Sequence, residues 1–273
     1  MTKELQAAIT PRIALDLLKD GNKRFVNNLK INRNLLQQVN ETSEAQHPFA
    51  IILSCIDSRT SAELIFDQGL GDIFSVRIAG NIINEDILGS MEFACKVAGS
   101  KIIVVLGHTR CGAVKGACDH VEMGNLTALL AKLQPAVYEE KTETENRNSN
   151  NDNFVEKVSV INVKRTVHAI MERSPILKEM VWHGAIGIVG GTYDVTSGTV
   201  HFHEDTLILM TAVEIVYGRL FSSNTLLDGG WEIVACLGGM VMCSPAPGSR
   251  RAIKRAAQST GSPSPRTLPR IQA

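Results

Sequence analysis

Two short stretches of the chain are apolar at almost every position: Phe49-Ala50-Ile51-Ile52-Leu53-Ser54 and Lys101-Ile102-Ile103-Val104-Val105-Leu106-Gly107. Continuous, β-branched runs of this length are the signature of strands buried on both faces of a parallel sheet. Two further runs, 72–78 and 185–195, complete a set of four, and the last turns at Thr196-Ser197-Gly198 into a short strand over 199–203. Between the strands the pattern changes to helical spacing near 61–68 and 86–98, from about Gly112, and over 154–172. Thr10-Pro11 ahead of Ile13-Ala14-Leu15-Leu17-Leu18 marks a helix start with proline in the first turn. The run of Glu, Thr, Asn and Ser from Glu139 to Asn153 reads as a solvated loop. The expected fold class is α/β: a central, mainly parallel sheet flanked by helices, with an N-terminal helical arm. The apolar face of that arm, from Ile13 to Phe25, is expected to find little partner in its own chain's core.

Past Glu204 the pattern changes. Residues 206–221 have amphipathic spacing, and Trp231 to Cys243 is apolar with Gly238-Gly239 inside it. After Glu232 there are no acids, while Arg250, Arg251, Lys254, Arg255, Arg266 and Arg270 are basic. The expected organisation is a catalytic domain over 1–203, a partly helical, apolar extension over 204–245, and a basic Ser/Pro-rich tail over 246–273 whose composition favours disorder.

Charge adds mainly exclusions. With 28 basic and 28 acidic residues the formal net charge is zero, which offers no global attraction to nucleic acid or an anionic membrane. The six cysteines are not spaced as a secreted disulfide framework, so a reducing, cytoplasmic setting is expected. Met1 to Gln6 shows no apolar signal core, and no uninterrupted apolar stretch is long enough to span a bilayer.

The chemistry sits where the two apolar runs end. Cys55-Ile56-Asp57-Ser58-Arg59 follows the first and His108-Thr109-Arg110-Cys111-Gly112 follows the second. In open α/β sheets ligands bind beyond the carboxyl ends of the strands. Cys55, His108, Cys111 and Asp57 supply two thiols, an imidazole and a carboxylate, a complete ligand set for zinc. Cys55, Asp57 and Arg59 alternate, and in extended chain would point the same way. His108 and Cys111, three apart at a strand-to-helix turn, would share one face of a first helical turn. Gly107-x-x-x-x-Gly112 has the glycines of a phosphate-binding loop, but Ala113 stands where lysine is required. A closed Cys-Cys-His-Asp site that only staples the fold is the competing reading. Its usual mark, a close Cys-x-x-Cys pair, is missing here.

These segments resemble the β-class carbonic anhydrases. The similarity continues through Glu63-Leu64-Ile65-Phe66, Gly71 to Asn81, Gly89 to Ala94, Val105 to Val114 and Gly190 to Gly198, and covers about residues 10 to 203. The resemblance implies a zinc lyase that reversibly hydrates carbon dioxide to bicarbonate and a proton through zinc-bound hydroxide. Cys55, His108 and Cys111 hold the metal, and an Asp57–Arg59 dyad orients the hydroxide. When the dyad breaks, Asp57 can swing onto zinc as a fourth ligand. In carbonic anhydrases with three histidine ligands, zinc brings bound water to a pKa of about 7. Two thiolates donate more charge, so this site needs more help from the groups around it.

By the same resemblance Gln46, Phe74, Ala79 and Phe93 are candidate substrate-binding positions; Phe93 replaces the tyrosine of plant members. The N-terminal arm implies a homodimer or homotetramer. Alternatives on the same site are hydrolysis of carbonyl sulfide or carbon disulfide, or a non-catalytic zinc-stapled binding module. The other histidines share no ligand spacing, His201-x-His203 reading as a solvated edge, and Cys95 and Cys118 read as core.

Overall fold

A computed structural model of the chain describes residues 1–210 and, beyond them, 231–234 and 242–245. The first unit, Met1–Ile215, opens with three helices: α1 (Lys3–Ala8), α2 (Pro11–Val26) and α3 (Leu35–Glu41). Strand β1 (Ala50–Ser54), helix α4 (Ala62–Ile65) and strand β2 (Ile73–Arg77) follow. A 3₁₀ turn over Ala79–Asn81 leads into α5 (Glu85–Glu92), which continues as a π-helical turn, Phe93–Val97. Then come β3 (Ile102–His108), α6 (Gly112–Cys118), α7 (Gly124–Ala131), α8 (Gln134–Glu139), α9 (Asp152–Arg173), α10 (Pro175–Trp182), β4 (Gly187–Tyr193) and β5 (Val200–Ile208). In the second unit, Val216–Ala273, β6 (Trp231–Val234) pairs antiparallel with β7 (Met242–Pro245).

The five-stranded sheet has the order β2-β1-β3-β4-β5. The first four strands are parallel and β5 runs antiparallel beside β4. The chain moves from β1 outward to β2, then crosses back over β1 to β3. The reversal leaves a crevice between the carboxyl ends of β1 and β3, the place where such sheets bind ligands. Register aligns Ser54 with Leu106 across it, and His108 with Tyr193 on the far side.

Alternation along β1 and β3 separates two apolar layers. Ile51, Leu53, Ile103 and Val105 face α5, α9 and α10 through Met91, Val163, Val167, Ile170, Leu177 and Val181. Ala50, Ile52, Val104 and Leu106 face α2 and α4 through Ala14, Leu15, Leu18, Ile65 and Phe66. The arm expected to lack an internal partner therefore has one. Ala14, Leu15 and Leu18 are fully buried against their own sheet, and Gly21 lets α2 lie so close that an added Cβ would stand 1.8 Å from the Phe66 carbonyl oxygen. The opposite face of α2 still leaves Ile13 and Leu17 exposed.

The final strand also departs from expectation. It continues to Ile208 rather than stopping at 203, so residues 206–208, expected to begin a helix, are strand. Polar His203-Glu204-Asp205 conceals this in the sequence. The strand is held there by the buried Thr206, whose hydroxyl accepts from the Gly190 N–H at 2.8 Å beside a register shift. Expectations for 211–221 and for the tail 246–273 lie outside the described residues. Among the described residues no helix is long and apolar enough to cross a membrane.

Candidate metal centre

Leaving β1 at Ser54, the chain does not continue extended. A turn at Ser58-Arg59 folds Arg59 back on Asp57, and the Arg59 N–H donates to Asp57 Oδ1 at 3.0 Å. Thr60, 1% exposed, closes the turn: its N–H donates to the Asp57 carbonyl, and its hydroxyl lies 2.9 Å from the carbonyl oxygens of both Cys55 and Asp57. At the second strand end His108 is the last residue of β3, and Cys111 is the N-cap of α6. They meet without sharing a helical turn, because Arg110 takes a left-handed φ of 56° and swings the cysteine back toward the strand.

Cys55, His108 and Cys111 form one buried group, their ligand atoms all within 4.8 Å of one another. The two sulfurs are 3.9 Å apart; two sulfurs at 2.3 Å from a tetrahedral zinc stand about 3.8 Å apart. His108 Nδ1 lies 2.9 Å from the Thr109 carbonyl oxygen, which sets that nitrogen as the donor and leaves Nε2 with its lone pair. Nε2 is buried with no hydrogen-bond partner among the described residues, a costly state for a polar atom. Two sulfurs and a bare imidazole nitrogen in one buried group suit zinc in donor type and spacing.

The electrostatics agree. The two thiols are coupled: pairing with Cys111 lowers the Cys55 thiol below its ordinary value, assisted by the Gly80 N–H at 3.4 Å, while the same pairing and burial push Cys111 up. Asp57 does not join the group. Arg59 grips it bidentately, Nε to Oδ1 at 2.9 Å and Nη2 to Oδ2 at 2.7 Å. That guanidinium holds the carboxyl well below the usual carboxylate range. Among the described residues the group thus has three donors, one short of the four a zinc ion takes.

Of the other expected site residues, Ala79 adjoins the group, next to Gly80. Phe74 pairs with Ile51 in the sheet, four residues short of Cys55, roughly 13 Å along the strand. It packs edge-to-face on Phe93, ring centroids 6.3 Å apart, and Phe93 is half exposed. Gln46 is exposed on the loop entering β1, at the opposite end of the sheet from Cys55. Within one chain these three stand away from the group. Three residues not anticipated as site residues do reach it. Thr60 and Arg77 hold the turn after Cys55, and Asn162 on α9 donates to the Gly80 carbonyl at 2.9 Å. Only Arg77 falls in a stretch whose pattern pointed to the site; Thr60 and Asn162 carry no sequence signal.

Elsewhere His203 Nε2 is engaged by Thr192 Oγ1 at 2.9 Å. Cys95 and Cys118 are core residues whose thiols burial pushes up to about 12 and about 11.

A family model described as carbonic anhydrase matches residues 50–200. Carbonic anhydrase 2 of Mycobacterium tuberculosis is 37% identical over 196 residues, covering 69% of this chain and 90% of the relative. The carbonic anhydrase of Mycolicibacterium smegmatis is 34% identical over 196 residues, covering 70% and 92%. Among solved structures, the Coccomyxa β-carbonic anhydrase in complex with acetazolamide superposes with a TM-score of 0.55 at 21% identity, covering 77% of this chain and 98% of that one. A tetrameric β-carbonic anhydrase from Sordaria macrospora gives 0.53 at 21% identity, covering 62% and 90%.

Proposed function

Because the chain belongs to the β-class carbonic anhydrase family, we propose that Cys55, His108 and Cys111 hold one zinc ion and that Asp57, fixed by Arg59, orients the water that adds to carbon dioxide. The enzyme is a carbonic anhydrase. Bound zinc supplies the Lewis acidity that makes water a nucleophile near neutral pH.

The remaining work falls to the chain's own groups. Asp57, kept ionised by Arg59, accepts a hydrogen bond from the attacking oxygen and turns its lone pair toward the carbon. Arg59 occupies both carboxylate oxygens, which restrains Asp57 from becoming a fourth ligand. His108 keeps Nε2 available because Nδ1 is engaged with Thr109. Ala79 contributes an apolar wall that keeps bulk water from the reacting carbon.

Gln46, Phe74 and Phe93 are too far from their own chain's group to line it. We assign their substrate contacts to an assembled homodimer or homotetramer, in which they face a neighbouring copy's site. The half-exposed Phe93 and the exposed Val97 on the same π-helical turn supply an apolar surface for such a contact. The requirement for two reduced sulfur ligands favours a reducing, cytoplasmic setting.

The observation that carries the reading is the buried Cys55–His108–Cys111 group with an unpartnered Nε2 and an Asp57 held outside it. The test is stopped-flow carbon dioxide hydration by the purified protein, with zinc measured on the same sample and carbonyl sulfide and carbon disulfide as competing substrates. About one zinc per chain with carbon dioxide turnover is expected, and both should be lost in Cys111→Ser. Cys111→Ser with full zinc and full rate would refute the ligand assignment.

A further inference from the structure

The segment joining the proposed ligand Cys55 to the proposed orienting residue Asp57 is not anchored by its central side chain. Ile56, between them, is 61% exposed, and the Arg59 side chain is 48% exposed. The Asp57–Arg59 pair is local to one turn, so nothing within it ties the carboxylate to the sheet. Two residues from outside the segment do. Arg77 ends β2 in register with Ser54, and its Nε donates to the Cys55 carbonyl at 3.0 Å while Nη2 donates to the Asp57 carbonyl. The Thr60 hydroxyl, buried, reaches the same two carbonyls at 2.9 Å each, and Arg77 Nη2 lies 3.4 Å from it. The carbonyls of Cys55 and Asp57, the residues on either side of Ile56, are therefore held by the same pair of side chains.

We infer that Arg77 and Thr60 are positioning residues for the reaction: together they lock the Cys55–Asp57 backbone and so set the height of the Asp57 carboxylate above the ligand group. The inference rests on the roles proposed for Cys55 and Asp57. The planar guanidinium suits the task, since its two N–H directions meet two carbonyls at once, whereas the single ammonium of lysine does not present that fork. Rate is sensitive to such placement, a displacement of about 1 Å costing on the order of a hundredfold. Neither residue is a proposed zinc ligand, so metal content should not follow rate.

The test is a double-mutant cycle with Asp57, run beside hydrogen exchange on the metal-free protein. Arg77→Lys and Thr60→Val should each keep about one zinc per chain yet lower kcat/KM by about 10- to 100-fold, chiefly in kcat. Thr60→Ser, which restores the hydroxyl, should recover most of the rate. On an Asp57→Asn background Arg77→Lys should change the residual kcat/KM by less than about twofold, because a residue acting through that carboxylate has nothing left to position. In the metal-free protein the amides of Arg59 and Thr60, bonded to Asp57, should exchange faster in Arg77→Lys.

Rates within twofold of wild type for both single variants would overturn the inference, as would an undiminished Arg77→Lys effect on the Asp57→Asn background, or loss of zinc in step with loss of rate. Asp57→Asn at the wild-type rate would instead refute the role of Asp57 itself, and the inference would fall with it.

Discussion

Alanine at Gly80 would strain the turn that lies over Cys55. Gly80 has a φ of 67°, in the region where a side chain costs about 1–2 kcal/mol. An added Cβ would stand 2.9 Å from Leu133 Cδ1, and Leu133 is fully buried, so the neighbour has little room to yield. Overpacking of this kind costs about 1–3 kcal/mol. The two effects together reach about 2–5 kcal/mol, which in a unit of this size lowers Tm by roughly 4–20 °C. The Gly80 N–H is also the donor to Cys55 Sγ at 3.4 Å, and a shift of the turn withdraws it. Loss of a donor behind a metal ligand typically weakens metal binding about 10- to 100-fold. Thermal melts of the metal-free and zinc-loaded Gly80→Ala variant, with chelator competition for zinc affinity, read both effects. Comparing Gly80→Ala/Leu133→Ala with Leu133→Ala alone separates strain from overpacking, because only the left-handed strain should survive removal of the leucine. A Gly80→Ala protein that melts within a degree of wild type and holds zinc as tightly would show that neither the close approach nor the N–H bond matters.

Arg59→Ala should retain zinc while kcat/KM for hydration falls about a hundredfold, read by stopped flow beside metal analysis; a near-normal rate would remove the dyad from the mechanism. Asp67 tests the acid limb of stability: burial raises its pKa, but Arg24, Arg33 and the Ile31 N–H outweigh burial and leave it lowered. A carboxylate depressed on folding contributes stability that is present above its unfolded value, near 3.9, and is lost as pH falls through the folded one. Asp67→Asn should therefore destabilise the protein at pH 7 and shrink the difference from wild type below about pH 4, and urea midpoints that differ equally at pH 3 and pH 7 would contradict this.

The strands were legible because their burial is uniform. Ile51 to Leu53 and Ile102 to Leu106 touch apolar neighbours on both faces, so no polar residue interrupts the run. β5 is not legible past His203 for the opposite reason, since at the edge of the sheet Glu204 and Asp205 stay exposed, paired with Lys19 of α2 and Lys164 of α9. The metal-ligand candidates were legible because cysteine and histidine at two strand ends are chemically unusual. The route by which His108 and Cys111 meet was not, because a left-handed Arg110 leaves no mark on residue type. Whether Asp57 sits with Arg59 or with the group is a choice of side-chain conformation, which spacing alone does not encode. Thr60, Arg77 and Asn162 act through backbone carbonyls, and a carbonyl is the same at every position. The internal partner of α2 is not legible because the pairing of Leu15 and Leu18 with the sheet joins residues more than thirty positions apart.

The near-complete burial of Cys55, His108 and Cys111, none more than 4% exposed, has a kinetic consequence for ownership of the metal. A hydrated cation or a multidentate scavenger needs far more room to reach buried side chains than a linear triatomic gas does. If the three residues hold zinc as proposed, its exchange should wait for local opening of the protein around them. At high chelator concentration the rate of stripping should reach a plateau equal to the opening rate and become indifferent to the chelator's strength. The protein would then keep its metal through transient scarcity by slowness rather than by affinity, and its loading would record the zinc supply at the time it folded.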